Sequence, residues 1–157
     1  MSEIGKLEEL NSPEDRRTFM MNLICFAACI EGMFFFAAFA YVYYLRSLGK
    51  LNGLAAGTNW VFRDETMHIE GTMQVLASIR QEYPHLWDAA LEKKVNAMIE
   101  EALECEMQFC SDALSFGVTG ISPALMYEYL QYVADQRLVQ LGFKPCDILG
   151  LSFTLCF

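Results

Sequence analysis

The 157 residues are one domain's worth of chain, and their apolar share of 54% exceeds the usual globular value of roughly 45–50%. A chain of this size can bury a sizeable core, and the apolar excess points to surfaces that pack against more protein. A net charge of −9 without a basic stripe argues against nucleic acid as a partner, because phosphate binding needs clustered Lys and Arg.

The first eleven residues are polar and patternless. Ser12 then offers a cap, Pro13 fits the first helical position, and Glu14 and Asp15 suit the positive helix end. The pattern predicts one helix from there to about Leu48, with Gly32 as its only glycine and Gly49 as its stop. Asn22 to Leu45 is almost continuously apolar and long enough to span a bilayer. Glu31 at its centre, flanks without an interfacial Trp and Lys/Arg pattern, and the amphipathic remainder of the chain argue instead for a bundle interior and no membrane.

A second helix is expected from Leu51 to about Glu82, weakened in its first turns by Gly53 and Gly57 and ended before Pro84. A third runs from about Asp88 to Leu114, with Leu91, Val95, Met98, Ile99, Ala102 and Met107 on one side. Gly117 and Gly120 break the chain. Ser122 and Pro123 open a fourth helix that ends near Leu141, with Gly142 as its stop. Residues 146–157 are an apolar tail without a period, and no alternating strand pattern is convincing. The class is all-α, with about four main helices.

Of the six cysteines, Cys25, Cys29, Cys105 and Cys110 lie inside helical patterns among apolar neighbours, where Cys acts as a small hydrophobe. With no Cys-x-x-Cys spacing and no secretory signal, they read as reduced thiols of a cytoplasmic protein.

The sharpest chemical signal is Arg63-Asp64-Glu65-Thr66-Met67-His68. Glu65 and His68 are three apart and so share a helix face. Dinuclear carboxylate sites use this geometry, with a further carboxylate from another helix. Glu31 qualifies, since a lone carboxylate in an apolar run is costly unless it is paired or metal-bound. Two carboxylates and an imidazole suit iron or manganese better than a structural zinc site, which draws on thiolates. Each part alone is weak: Glu-x-x-His is common on helix surfaces, and a lone Glu can be a hydrogen-bonded core group. Glu82-Tyr83-Pro84-His85 has the same spacing, but Pro84 makes it a turn.

Asp64 points about 100° round the helix from Glu65. It could orient the imidazole with Arg63 as counter-charge, or form a surface ion pair with Arg63. Phe34, Phe35, Phe36 and Phe39 could be core or a dry wall beside the site.

Taken together, three segments resemble one family. Cys29-Ile30-Glu31-Gly32-Met33-Phe34-Phe35-Phe36-Ala37-Ala38-Phe39-Ala40 is similar to its Glu-Gly-x-Phe-Phe helix, and Phe62-Arg63-Asp64-Glu65-Thr66-Met67-His68 to its Arg-Asp-Glu-x-x-His helix. Tyr129 to Leu138, followed by Leu141-Gly142-Phe143-Lys144-Pro145, is similar to the tyrosine-rich helix that comes next. The family is the ribonucleotide reductase small subunit, matched over its C-terminal half by residues 12–145.

The resemblance implies a ferritin-like helical bundle with a dinuclear iron or manganese centre. That centre makes a stored one-electron oxidant for a large subunit that reduces ribonucleotides to deoxyribonucleotides. By position it makes Glu31, Glu65 and His68 metal ligands and Asp64 the carboxylate behind them on the radical route. Phe35, Phe39 and Val61 match the hydrophobic pocket beside the metals. The family's remaining Asp or Glu, its second Glu-x-x-His and its radical Tyr have no counterpart before Glu31, where no His occurs. The expectation is therefore half a site from a split or truncated gene product. A separate N-terminal-half chain would complete it, in a dimer that serves the large subunit. A homodimeric ferritin-like dimetal oxidase or metal-binding protein, and an inactive fragment that only binds partner subunits, are the competing expectations.

Overall fold

The computed structural model describes residues 12–115 and 120–145. Five α-helices occur among them: α1 (Pro13–Ile24), α2 (Phe36–Ser47), α3 (Asn52–Glu82), α4 (Ala89–Ala113) and α5 (Pro123–Leu141). A π-helical segment, Cys25–Ile30, follows α1, and a 3-10 turn, Pro84–Leu86, follows α3. The expected tail 146–157 and the lead 1–11 lie outside the described residues, as does Gly117.

The helix starts follow from the capping residues. Ser12 Oγ accepts from the Asp15 N–H at 3.1 Å, and the Asp15 carboxylate accepts from the Ser12 N–H at 3.1 Å, a reciprocal capping box. Ser12→Ala is expected to cost about 1 kcal/mol, read as a lower urea midpoint with an unchanged slope. Asp88 caps α4 by accepting from the Leu91 N–H at 2.9 Å and receives Arg17 of α1 at 2.6 Å, tying the two helix starts together. Ser122 caps α5 through the Leu125 N–H at 3.2 Å, and Gly142 ends it with φ +80°.

One sequence expectation needs correction. The single helix expected from Ser12 to Leu48 is two helices, separated by the π-helical segment and a turn over residues 31–35. The apolar run of residues 22–45 is thereby divided, and among the described residues no helix is long and apolar enough to cross a membrane. By contrast, Gly53 and Gly57 do not interrupt α3, which is continuous from Asn52. Ala55, fully buried, fixes that first stretch against the protein, and packing outweighs glycine's poor helix propensity.

One core joins all five helices. Met20 and Ile24 meet Ala27, Ala28 and Cys29 of the π-helical segment, Ile69 and Leu76 of α3, Leu91, Val95 and Ile99 of α4, and Leu130 and Leu138 of α5. The expected α4 stripe holds, with Met98 and Met107 at its half-buried margin. Cys29 and Cys110 are buried free thiols, and burial pushes Cys29 up to about 12 and Cys110 up to about 11. Cys105 is a free, exposed thiol, because it lies off the buried stripe of α4.

Candidate metal centre

α3 packs against the π-helical segment, and the site lies at that contact. The chain enters it with its hydrogen-bond ladder out of step. Glu31 N–H reaches back five residues to Phe26 at 2.9 Å, Phe34 N–H reaches back five to Cys29 at 3.1 Å, and Phe36 N–H reaches back three to Met33 at 2.9 Å. Such π-helical turns inside apolar helices are rare and occur frequently at functional sites. Here the widened turn precedes Glu31 and leaves it at the edge of a helix break.

Glu65 and His68 come from adjacent turns of α3 on one face. One candidate ligand atom from each of Glu31, Glu65 and His68 lies within 4.8 Å of the others. His68 Nδ1 is 3.6 Å from Glu31 Oε2 and 3.4 Å from Glu65 Oε2. The two carboxylates are largely buried, with side-chain exposures of 13% and 14%, whereas the imidazole is 57% exposed. The cluster therefore opens to the surface on its His68 side.

The electrostatics suit a cation. Glu65 Oε2 is buried without a hydrogen-bond partner. Contact with the Glu31 side chain holds the Glu65 carboxyl above its ordinary value; burial adds to the rise, and His68 opposes it. Two carboxylates pressed together at partial burial are unfavourable by themselves and become favourable around a di- or trivalent ion. The donor set of carboxylate oxygens and one imidazole nitrogen suits iron or manganese.

The other sequence candidates fall into four groups. Phe39 is buried and meets Phe62 edge-to-face at 5.5 Å, and Phe36 lies 5.7 Å from Phe62, so these rings pack as one aromatic cluster between α2 and α3. Phe35 stacks on Phe39 at 6.2 Å but is exposed, as is Val61. Asp64 accepts from Arg63 Nε at 3.1 Å and Nη2 at 2.9 Å as an exposed ion pair, while His68 faces the two glutamates. Glu82 and His85 are exposed at the turn after α3.

Sequence reasoning assigned no role to Phe62, Arg137 or Glu106. Phe62 is three residues before Glu65 and so on its face. Arg137 falls among the buried α5 positions Leu130, Val133, Ala134 and Leu138, and Glu106 falls on the buried α4 stripe of Val95, Ile99, Ala102 and Cys110. A charged residue in apolar phase was the available signal for both.

Burial pushes the Glu106 carboxyl up to about 7 from an ordinary 4.5, although the Ala37 N–H pulls it down. A raised acid favours the folded state fully below its unfolded value, and that contribution is lost as pH rises through about 7. Thermal melts should therefore show the wild type losing stability relative to Glu106→Gln between pH 5 and 8.

The family model described as "Ribonucleotide reductase, small chain" matches residues 4–146. The chain belongs to the ribonucleotide reductase small-chain family. It is 29% identical over 136 residues to the ribonucleoside-diphosphate reductase subunit beta of Chlamydia pneumoniae, a match covering 87% of this chain, and 39% of that subunit. It is 33% identical to the small chain of Schizosaccharomyces pombe, covering 82% and 31%, and 35% identical to the small chain of Acanthamoeba polyphaga mimivirus, covering 82% and 29%. Among solved structures, a ribonucleotide reductase R2 subunit from Clostridium botulinum superposes with a TM-score of 0.74 at 26% identity, covering 84% of this chain, and 40% of that subunit. The chain thus spans two fifths or less of these relatives, and its bundle is the ferritin-like helical fold of the family.

Proposed function

We propose that the chain supplies half of a dinuclear iron or manganese site in a ribonucleoside-diphosphate reductase small subunit. Glu31, Glu65 and His68 would be its ligands. The observation that carries this reading is the convergence of those three side chains within 4.8 Å around a buried carboxylate oxygen that lacks a hydrogen-bond partner. Full sites of this architecture take one Glu from each of two helices and a Glu-x-x-His from each of two others. This chain offers one of each, and the face that would meet the rest is apolar, with Ile30, Phe34 and Phe35 exposed beside Glu31.

A metal pair held in part by Glu31, Glu65 and His68 would supply the one-electron oxidising chemistry that a large subunit uses for reduction of ribonucleotides. The chain's own residues would do the following. Glu31 and Glu65 supply the charge and oxygen donors, and His68 turns Nδ1 toward them. Phe36, Phe39 and Phe62 keep water from one side. Asp64, held by Arg63, is the carboxylate that the resemblance assigns to the radical route.

The remaining ligands would come from a segment equivalent to the family's N-terminal half. Co-purification of the two halves should give a complex with about two metal ions per pair of halves. A homodimer in which two copies join their half sets is favoured by one observation, that this chain holds one of each ligand type. It would appear as the same metal stoichiometry in a dimer built only of this chain. No bound iron or manganese in either sample would overturn the metal reading.

A further inference from the structure

The geometry points to Arg137 and Glu106 as positioning residues that clamp the helix break after the π-helical segment and so aim the Glu31 carboxylate at Glu65 and His68. This inference rests on the metal reading of that cluster and goes further, since neither residue is a ligand.

A ladder that changes from five-residue to three-residue reach between Glu31 and Phe36 strands backbone groups at the break, as any helix end does. One of them is met by a charged side chain from another helix, and a second lies beside a buried carboxyl. The Gly32 carbonyl accepts from Arg137 Nε of α5 at 2.9 Å. The Ala37 N–H, in the first turn of α2, lies beside the buried Glu106 carboxyl of α4 and pulls its pKa down. The N-cap position of α2 is Phe35, which has no side-chain acceptor, so Glu106 does from a distance what a local cap would do. The Arg137 guanidinium also lies 5.0 Å from the centre of the Phe36 ring, so one side chain touches both ends of the turn. Gln140, one helical turn further along α5, accepts from Arg137 Nη1 at 2.9 Å and fixes its far end.

The arrangement is expensive. Arg137 is only 7% exposed, and both of its hydrogen-bond acceptors are neutral. Glu106 is 5% exposed and keeps Oε1 without a partner. A buried cation and a buried carboxyl that do not pair with each other cost stability that a Met or Leu of similar volume would not. What the two share is the break, and the break decides where Glu31 points. Gly32 completes it: a Cβ there would stand 2.8 Å from Arg137 Nε, so only glycine lets the guanidinium reach the carbonyl.

The test uses the 157-residue chain with manganese(II) as the probe. Binding is followed by loss of the free-ion electron paramagnetic resonance signal, and amide hydrogen exchange is followed residue by residue. Arg137→Met and Glu106→Leu should stay helical, bind manganese(II) about 10–100-fold more weakly, and exchange faster at residues 32–37 than at α4 and α5. Arg137→Lys should recover part of the affinity, and Glu106→Gln, which keeps an acceptor for Ala37, most of it. These two variants also serve if the apolar ones do not fold. Folded Arg137 and Glu106 variants with wild-type affinity, or with unchanged exchange at residues 32–37, would overturn the clamp. If the wild type takes up no manganese(II) while the variants still loosen residues 32–37, the metal reading fails and the clamp stands.

Discussion

Replacing Glu65 with glutamine should lower iron(II) or manganese(II) affinity by more than about 100-fold, since even the partners behind metal ligands are worth about 10–100-fold. The same change should leave the metal-free protein as stable as the wild type, or more stable. Glu65 is a burden to the fold without metal: its Oε2 is buried without a hydrogen-bond partner, and its carboxyl is raised first by Glu31 and then by burial. Removing its charge relieves that repulsion while removing a donor. Calorimetric titration together with a thermal melt checks both halves. A purely structural carboxylate would behave in the opposite way, with a lower melting temperature and unaltered metal uptake.

Gly32→Ala should destabilise the protein by about 2–3 kcal/mol, at the upper end of overpacking costs. The new Cβ would lie 2.5 Å from the Ala27 carbonyl oxygen and 2.6 Å from that of Ala28. Both are backbone atoms of the π-helical segment, so neither can swing aside as a side-chain end could. Gly71 is the control. It sits inside α3 with nothing within 4 Å of an added Cβ. There alanine should stabilise by up to about 1 kcal/mol through helix propensity. Urea unfolding of the two variants should move their midpoints in opposite directions, and equal midpoints would contradict the packing described around Gly32.

Much of the architecture was written in local chemistry. Ser12 with Pro13, Asp88, Ser122 with Pro123, and Gly142 each mark a helix boundary through a hydrogen bond or a backbone angle that the residue type itself favours. The Glu65–His68 spacing and the isolation of Glu31 in an apolar run were equally legible, because both are consequences of helix geometry and of the cost of burying charge.

The break over residues 25–35 was not legible, for two physical reasons. Its residues are nearly all apolar and hold no Pro, so hydrogen bonds that shift from four residues to five leave no mark in composition. The groups that satisfy the break are remote in sequence, Arg137 lying 105 residues from Gly32. Gly32 was the one local sign, and a single glycine within a helical pattern reads as tolerated. The exposed positions of Phe35 and Val61 were likewise beyond the pattern, since which side of the aromatic cluster faces the core depends on how α2 and α3 pack.

The central claim is that Glu31, Glu65 and His68 grip a common cation. Anomalous diffraction at the manganese edge, from crystals of the protein soaked in manganese(II), tests it most directly. The account predicts a peak within about 2.0–2.4 Å of a carboxylate oxygen from each glutamate and of an imidazole nitrogen of His68. A peak elsewhere, or none while the three side chains remain together, would contradict it.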